Sequence, residues 1–383
     1  MQLKLSIVSK LSVLVVGAVI VTAVAVNEVY VRGSNQILID QAIADLEKEA
    51  EFFRYPLGSK IDQLKDDVQL LAHLHATQGI VRASSNGGRD PNSQLPLTDF
   101  EDRLATTFTE MLRTREYYRQ IRFIGVADQG KEILKIERFG NRIERTPVSQ
   151  LEQRATERYL QDTLRLTPGD VYLSEANLNK EAGKVSLPHI LVLRAAVPIF
   201  TAEKDPFGII IVNIDFGAVL QDIRRHLAEN RGLYVANASG DYLTHPDTSQ
   251  LYATDLGHEH RIQRDRPRLI EVMGNPKQDK ATFLPKDKAQ GSVFAFRKYH
   301  YDPLNQDNYL GIAVETSYAN IIAKTEEVER QGFLFSSVVA LIAVIAAISL
   351  LRFLIRPLNG VADAVVRRSE EHTSELQSQN RIS

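Results

Sequence analysis

Polar side chains set into otherwise apolar stretches are the first places to look for chemistry. Arg122, Tyr159, Tyr172, Arg194 and Asp215 are of this kind. Arg122 stands among Ile121, Phe123 and Ile124, Arg194 follows Leu191-Val192-Leu193, and Asp215 closes the run FGIIIVNID. An arginine holds a carboxylate through two parallel contacts, and an aspartate receives an ammonium. Together they suit a pocket for a small polar metabolite. Ser174, Asn177 and Asn179 fall on a loop that would edge such a pocket. A plainer alternative puts these side chains on a solvated sheet face or in structural salt bridges, since strand residues alternate between faces.

Other chemistry is poorly supported. His245, His258 and His260, with Asp247, invite a metal reading, but His-x-His in a flexible loop lacks a spaced third ligand. His245-Pro246-Asp247 has the simpler account of a turn ending a strand. There is no HExxH, phosphate-binding glycine loop or GxSxG. The chain has no cysteine, which removes disulfides, thiolate metal sites and cysteine nucleophiles together. A formal charge of −2 over 383 residues gives no basic surface for nucleic acid. Neither a metal ion nor a cofactor is expected, and no catalytic residue is assigned.

A pocket needs elements to hold it. Residues 11–26 are almost continuously apolar and, with their flanks, cover the roughly 20 residues of a membrane-spanning helix. A cleaved signal peptide is the competing reading, with Lys4 and Lys10 as its basic start and Ala23 and Ala25 at a cleavage site. The length of the run, and a second one at 332–351, favour an anchor. Lys4 and Lys10 precede the first span, and Arg352, Arg356 and Arg367 follow the second. The positive-inside rule then places both termini in the cytoplasm and residues of about 31–331 outside.

After the first span, Ile39, Ile43, Leu46, Ala50, Phe53, Leu57, Ile61, Leu64, Val68, Leu71 and Leu74 recur at steps of mostly three and four. This spacing predicts a stalk helix over 31–83, bent at Pro56. The stripe suits ordinary core packing and dimerisation alike. Residues 84–97 read as a loop and 99–116 as a helix. A hairpin follows over 121–139, then a helix over 149–164, and strands at 171–174, 190–200 and 207–216. Pro198 is expected at a strand end or edge. The pattern recurs in smaller form, with strands at 232–236, 242–245, 281–284, 291–301 and 308–315, and a helix from Tyr318 into the second span. Val126-Ala127-Asp128 before Gly130 is echoed by Val235-Ala236-Asn237 before Gly240, which supports a repeated unit.

Several stretches carry a resemblance. They include Tyr118-Arg119-Gln120-Ile121-Arg122, DVYLS at 170–174, Leu178-Asn179-Lys180-Glu181, Asn213-Ile214-Asp215 and GDYLTHP at 240–246. With two PAS-like units on a long first helix between two spans, the chain resembles the double Cache sensory regions of bacterial receptors. Ile355-Arg356-Pro357-Leu358 resembles the opening of a HAMP helix. The resemblance implies an α+β fold and a ligand-sensing, transmembrane-signalling role in the bacterial inner membrane. Outputs in such families are histidine kinases, diguanylate cyclases or chemoreceptor tips.

The expected divisions are a first membrane helix (7–30), a stalk (31–83), a membrane-distal unit (84–217) and a proximal unit (218–318). An exit helix (319–331), a second membrane helix (332–351) and the start of HAMP (352–367) complete the chain. Residues 368–383 resemble the in-frame translation of a sequencing adapter, so the natural chain is taken as truncated near Arg367.

Amino-acid-binding members of the resembled family carry an Arg, a Trp-Tyr pair, a Tyr and an Asp. Here Arg158-Tyr159 falls at the pair and Asp215 at the Asp, while Thr156 stands at the Arg. The implied ligand set is Arg122, Arg158, Tyr159, Tyr172, Ser174, Asn179, Arg194 and Asp215. Implied partners are a small polar metabolite in the distal unit, a second copy of the chain as a homodimer, and the membrane. The alternative is a non-catalytic scaffold that senses through a periplasmic partner protein.

Overall fold

The computed structural model describes residues 7–181, 183–285 and 291–379. Lys4 and the last four residues of the adapter-like tail lie outside them. Three helices lead the chain: α1 (Ile7–Phe52), α2 (Arg54–His73) and α3 (His75–Ser84). The predicted stalk is therefore interrupted. Pro56 has no N–H to meet the Phe52 carbonyl, so the helix breaks at Phe53, ahead of the predicted bend. A second break falls at Leu74, whose backbone is extended. Thr77 Oγ1 and Gln78 Nε2 donate to the Leu71 and Ala72 carbonyls (2.6 and 3.0 Å) that this break leaves open. The predicted face holds: Leu46, Ala50, Phe53, Leu57, Ile61, Leu64, Val68 and Leu71 are all buried.

A fourth helix, α4 (Leu97–Thr114), buries Phe100, Leu104, Phe108 and Leu112 at helical spacing. The first sheet contains β1 (Tyr118–Gly125), β2 (Glu132–Phe139), β3 (Arg142–Arg145), β4 (Tyr172–Leu173) and β5 (Asn177–Leu178). A separate ribbon of β6 (Lys180–Glu181) and β7 (Lys184–Val185) follows, then β8 (Leu191–Phe200) and β9 (Pro206–Asp215). Strand order is β3-β2-β1-β9-β8-β4, all antiparallel, with β5 also paired to β8. β4 pairs only with Ala195 and Ala196, so Pro198 lies past the end of that neighbour.

The two faces of this sheet differ. Ile121, Phe123, Leu193, Ala195, Ile210, Val212 and Ile214 are buried, and α2 and α4 pack on the sheet. On the other side the helix Arg158–Leu164 packs against β8 and β9, with Leu160 clustered among Ile124, Ala196, Ile209 and Ile211. That helix is shorter than the predicted 149–164. The residues ahead of it bond to the β1–β2 hairpin instead: Glu132 N donates to Glu152 O, Arg154 N to Gly130 O and Ala155 N to Gln129 O. Gly130 sits at φ 71°, where a Cβ would come within 2.8 Å of Ala155 N.

The second sheet repeats the plan. Its strands are β10 (Gly232–Ala236), β11 (Tyr242–Thr244), β12 (Lys280–Phe283), β13 (Ser292–His300) and β14 (Tyr309–Ser317). Their order, β11-β10-β14-β13-β12, matches β2-β1-β9-β8-β4 position for position. The sequence echo of Val126-Ala127-Asp128 by Val235-Ala236-Asn237 falls where this repeat requires, at the first hairpin of each sheet. Tyr242, Ile262, Leu269, Phe294 and Phe296 form part of its core.

Residues Ile43–Tyr318 form one compact unit; the described residues up to Ala42 and from Ala319 onward form another. Two stretches, Val13–Tyr30 and Arg330–Leu350, are long and apolar enough to cross a membrane. The second lies in a continuous helix, Tyr318–Gln379. Val13, Val21, Phe333 and Phe335 are among their exposed side chains, an arrangement unlike the buried core helix of a water-soluble fold.

Candidate functional site

Register places the polar residues of the first sheet. Gln120 pairs with Asn213, and Asn213 with Arg194. One step along, Arg122 pairs with Ile211, Ile211 with Ala196, and Ala196 with Tyr172. Directly opposed residues share a face, as do residues two apart along a strand. Two adjacent cross-strand rows therefore put Gln120, Arg122, Tyr172, Arg194 and Asn213 on the same face. They line a cavity of about 600 Å³, closed on one side by the helix Arg158–Leu164 and on another by the loop between β13 and β14.

Seven of the eight expected ligand residues line this cavity: Arg122, Arg158, Tyr159, Tyr172, Ser174, Asn179 and Arg194. Asp215 does not. Its Oδ1 accepts from Ala218 N at 2.9 Å and caps the helix Phe216–Arg224, the ordinary work of an Asp at a strand-to-helix junction. Arg158 sits at the rim, its side chain 90% exposed and 3.2 Å from Asp162. Asn179 Nδ2 donates to Ser186 Oγ at 3.2 Å.

The interior is more constrained. Arg122 is buried; its Nη1 donates to Tyr159 OH (3.0 Å) and Glu132 Oε1 (3.4 Å), and its guanidinium lies over the Tyr159 ring. Arg154 shares Glu132 Oε1 at 3.1 Å. Arg194 Nη1 donates to Asn177 Oδ1 at 2.8 Å, yet Arg194 makes no ion pair with any described carboxylate. Burial, and then the nearby Arg122, push the Arg194 guanidinium down to about 10. Ser174 fixes the local backbone, its Oγ accepting from Arg194 N at 3.0 Å. Burial also pushes the Tyr172 hydroxyl up.

Several lining residues escape a reading from sequence. Gln120 and Asn213 complete the arginine row, and Asn213 carried a signal as the lone amide in a β-branched central strand. Glu175, and Asp302, Asn305 and Asn308 of the β13–β14 loop, gave none, because loop carboxylates and amides are ordinary. The histidines take local partners. His245 Nδ1 bonds within its own turn to Asp247, and His258 Nε2 meets Leu251 O at 2.9 Å. Among the described residues no group of three or more His, Asp and Glu side chains is placed to hold a metal ion.

Comparison with known proteins places this architecture. None of the curated proteins matches the sequence. Among solved structures, the fold is similar to an extracellular domain assigned to a histidine kinase, vpHK1S-Z8 (TM-score 0.59, 14% identity, covering 75% of this chain and 98% of that one). It is similar to a domain assigned to a sensory box/GGDEF family protein of Vibrio parahaemolyticus (TM-score 0.57, 16% identity, 73% and 98%). It is also similar to the ligand-binding domain of the Campylobacter jejuni chemoreceptor Tlp3, solved in complex with L-valine (TM-score 0.50, 10% identity, 76% and 97%). The family model for the bacterial histidine kinase sensor domain matches residues 93–309, more than half of the chain, covering the first sheet and the second as far as the start of β14. The chain therefore belongs to the family of bacterial histidine kinase sensor domains.

Proposed function

We propose that this chain senses a small polar metabolite outside the cytoplasmic membrane of a bacterium and passes the event inward through its second apolar helix. The observation that carries the reading is Arg194, a half-buried cation at the wall of a 600 Å³ cavity that forms no ion pair among the described residues. Burying a charge without a partner is unfavourable, and an arriving carboxylate offsets that cost through charge-assisted bonds. A ligand moves the receptor only by binding its two states unequally. In this reading both termini are cytoplasmic, residues of about 31–331 are periplasmic, and that segment binds without catalysing. Phe52, Tyr55 and Leu70, each more than half exposed along the stalk, support self-association as a homodimer.

The test is thermal unfolding of the full chain in detergent against a panel of small carboxylates, amino acids and polyols. Tlp3 was solved with L-valine, so valine belongs in the panel. A true ligand at 100 times its Kd stabilises by about 2.7 kcal/mol. Arg194→Ala is expected to remove that gain while leaving the circular dichroism spectrum unchanged. A panel without effect, or a gain that survives Arg194→Ala, would overturn the reading.

A further inference from the structure

Because the two sheets follow one plan, the second has its own counterpart of the cavity wall. Asn213 and Glu315 each stand two residues before the end of their strand, at Asp215 and Ser317, where a helix takes over. Asn213 lies between Gln120 and Arg194, and Glu315 lies between Gly232 and Phe294. One row further on, Tyr234 stands where Arg122 does and Phe296 where Ala196 does. The face that presents arginines and amides to a cavity in the first sheet therefore presents aromatic rings and one carboxylate in the second.

The chain itself covers this second face. Ile262 and Leu269 share a core cluster with Phe294 and Phe296. Arg266, directly after the helix Ile262–Asp265, reaches the carboxylate: its Nη2 donates to Glu315 Oε1 at 2.5 Å. The same guanidinium lies over the Phe294 ring, 5.2 Å from its centroid. Tyr234 OH and Ser292 Oγ also donate to Glu315, whose side chain is only 13% exposed. Burial and the Glu315 charge push the Tyr234 hydroxyl up, which keeps it a donor. A mostly buried carboxylate beside an aromatic face is the setting that suits a planar guanidinium, which pairs with the one and stacks on the other.

We propose that the second sheet retains a ligand site specific for a guanidinium, and that Arg266 fills it as a tethered ligand. The chain then carries one open site and one that it occupies itself. Glu315 lies near the end of β14, so the tethered guanidinium holds the strand that continues into the helix Tyr318–Gln379. A lysine at this position keeps the charge but cannot stack on Phe294 as a planar group does.

Chemical rescue tests this on the full chain in detergent. Arg266→Ala removes the guanidinium and leaves Glu315, Tyr234 and Phe294 to line the emptied site. It is expected to melt at least about 4 °C below the wild type, because a mostly buried carboxylate loses its cation. Ethylguanidinium chloride at millimolar concentration is expected to restore half or more of that loss along a saturating curve. Ethylammonium chloride is expected to restore less than half as much, and neither salt to raise the wild type. In Arg266→Ala with Glu315→Gln the rescue is expected to vanish. A folded Arg266→Ala that melts with the wild type or shows no rescue overturns the proposal. Rescue by ethylammonium to the same extent, or rescue that persists without the Glu315 charge, does so too. If Arg266→Ala does not fold, Arg266→Lys decides: melting clearly below the wild type is expected, and melting at the wild-type temperature overturns the guanidinium assignment.

Discussion

At the scale of single residues, the cavity is a place where ionisation is costly. Glu175 is the clearest case outside the arginine rows. Burial raises its carboxyl above the ordinary value, and the negative charges of Asp241 and Asp255 add to the shift. A carboxyl whose pKa is higher folded than unfolded favours the folded state when protonated. That contribution is full below the unfolded value and is lost as pH rises through the folded one. Glu175→Gln keeps the shape and removes the charge. It is expected to raise Tm at pH 7 by about 2 °C, with the advantage fading as pH falls through the raised folded value into the ordinary carboxyl range. Thermal melts of the two proteins across pH 3.5–8 would measure this, and a constant difference would refute it. Asp215 shows the converse limit. Its residue type suited a ligand contact, but the first turn of the next helix offered its side chain an immediate N–H partner.

At the scale of elements, one buried charge ties the stalk to the first sheet. Asp67 on α2 accepts from Arg115 Nε (2.8 Å), Arg115 Nη2 (3.1 Å) and Tyr118 OH (2.7 Å). Its partners lie at the end of α4 and the start of β1, so three elements meet on one carboxylate. Asp67→Ala is expected to cost roughly 2 kcal/mol, because Arg115 stays partly solvated while the Tyr118 hydroxyl loses its acceptor. Urea unfolding of the wild type and variant would show it as a lower midpoint with an unchanged slope. A midpoint shift within error would mean the clamp adds no stability. Helix contact is equally close at Gly79, where a Cβ would fall 2.3 Å from the Phe100 ring and force α3 away from α4.

At the scale of the molecule, the two sheets are joined across the cavity. The loop between β13 and β14 supplies part of its wall, and Tyr301 OH donates to Ser174 O at 3.0 Å in a buried contact. Asn308 Nδ2 lies 3.5 Å from Leu173 O. From that loop β14 runs without interruption into the helix Tyr318–Gln379. Ser174 is thus linked by the Tyr301 hydrogen bond to the loop that leads, through β14, into that helix. Tyr301→Phe removes one buried bond, worth about 1 kcal/mol. It is expected to speed amide exchange in 301–308 while β1, β8 and β9 stay protected. Unaltered exchange in that loop would show that the contact does not hold it.

The sequence by itself determined what depends on local pattern. Steps of three and four named the buried stalk face, alternation named most of the strands, and two apolar runs named the candidate spans. Even the repeat was legible, because the same turn residues recur before Gly130 and Gly240. Tertiary structure decided what depends on residues far apart in the chain. Strand register brought Gln120, Arg122, Tyr172, Arg194 and Asn213 onto one face, and no local period records which residue opposes which across a sheet. Hairpin bonding took residues 152–155 from their predicted helix, and Leu74 opened a break that periodicity does not mark. The β13–β14 loop reached the cavity only through folding, since its Asn and Asp residues carry no sign of where they will dock.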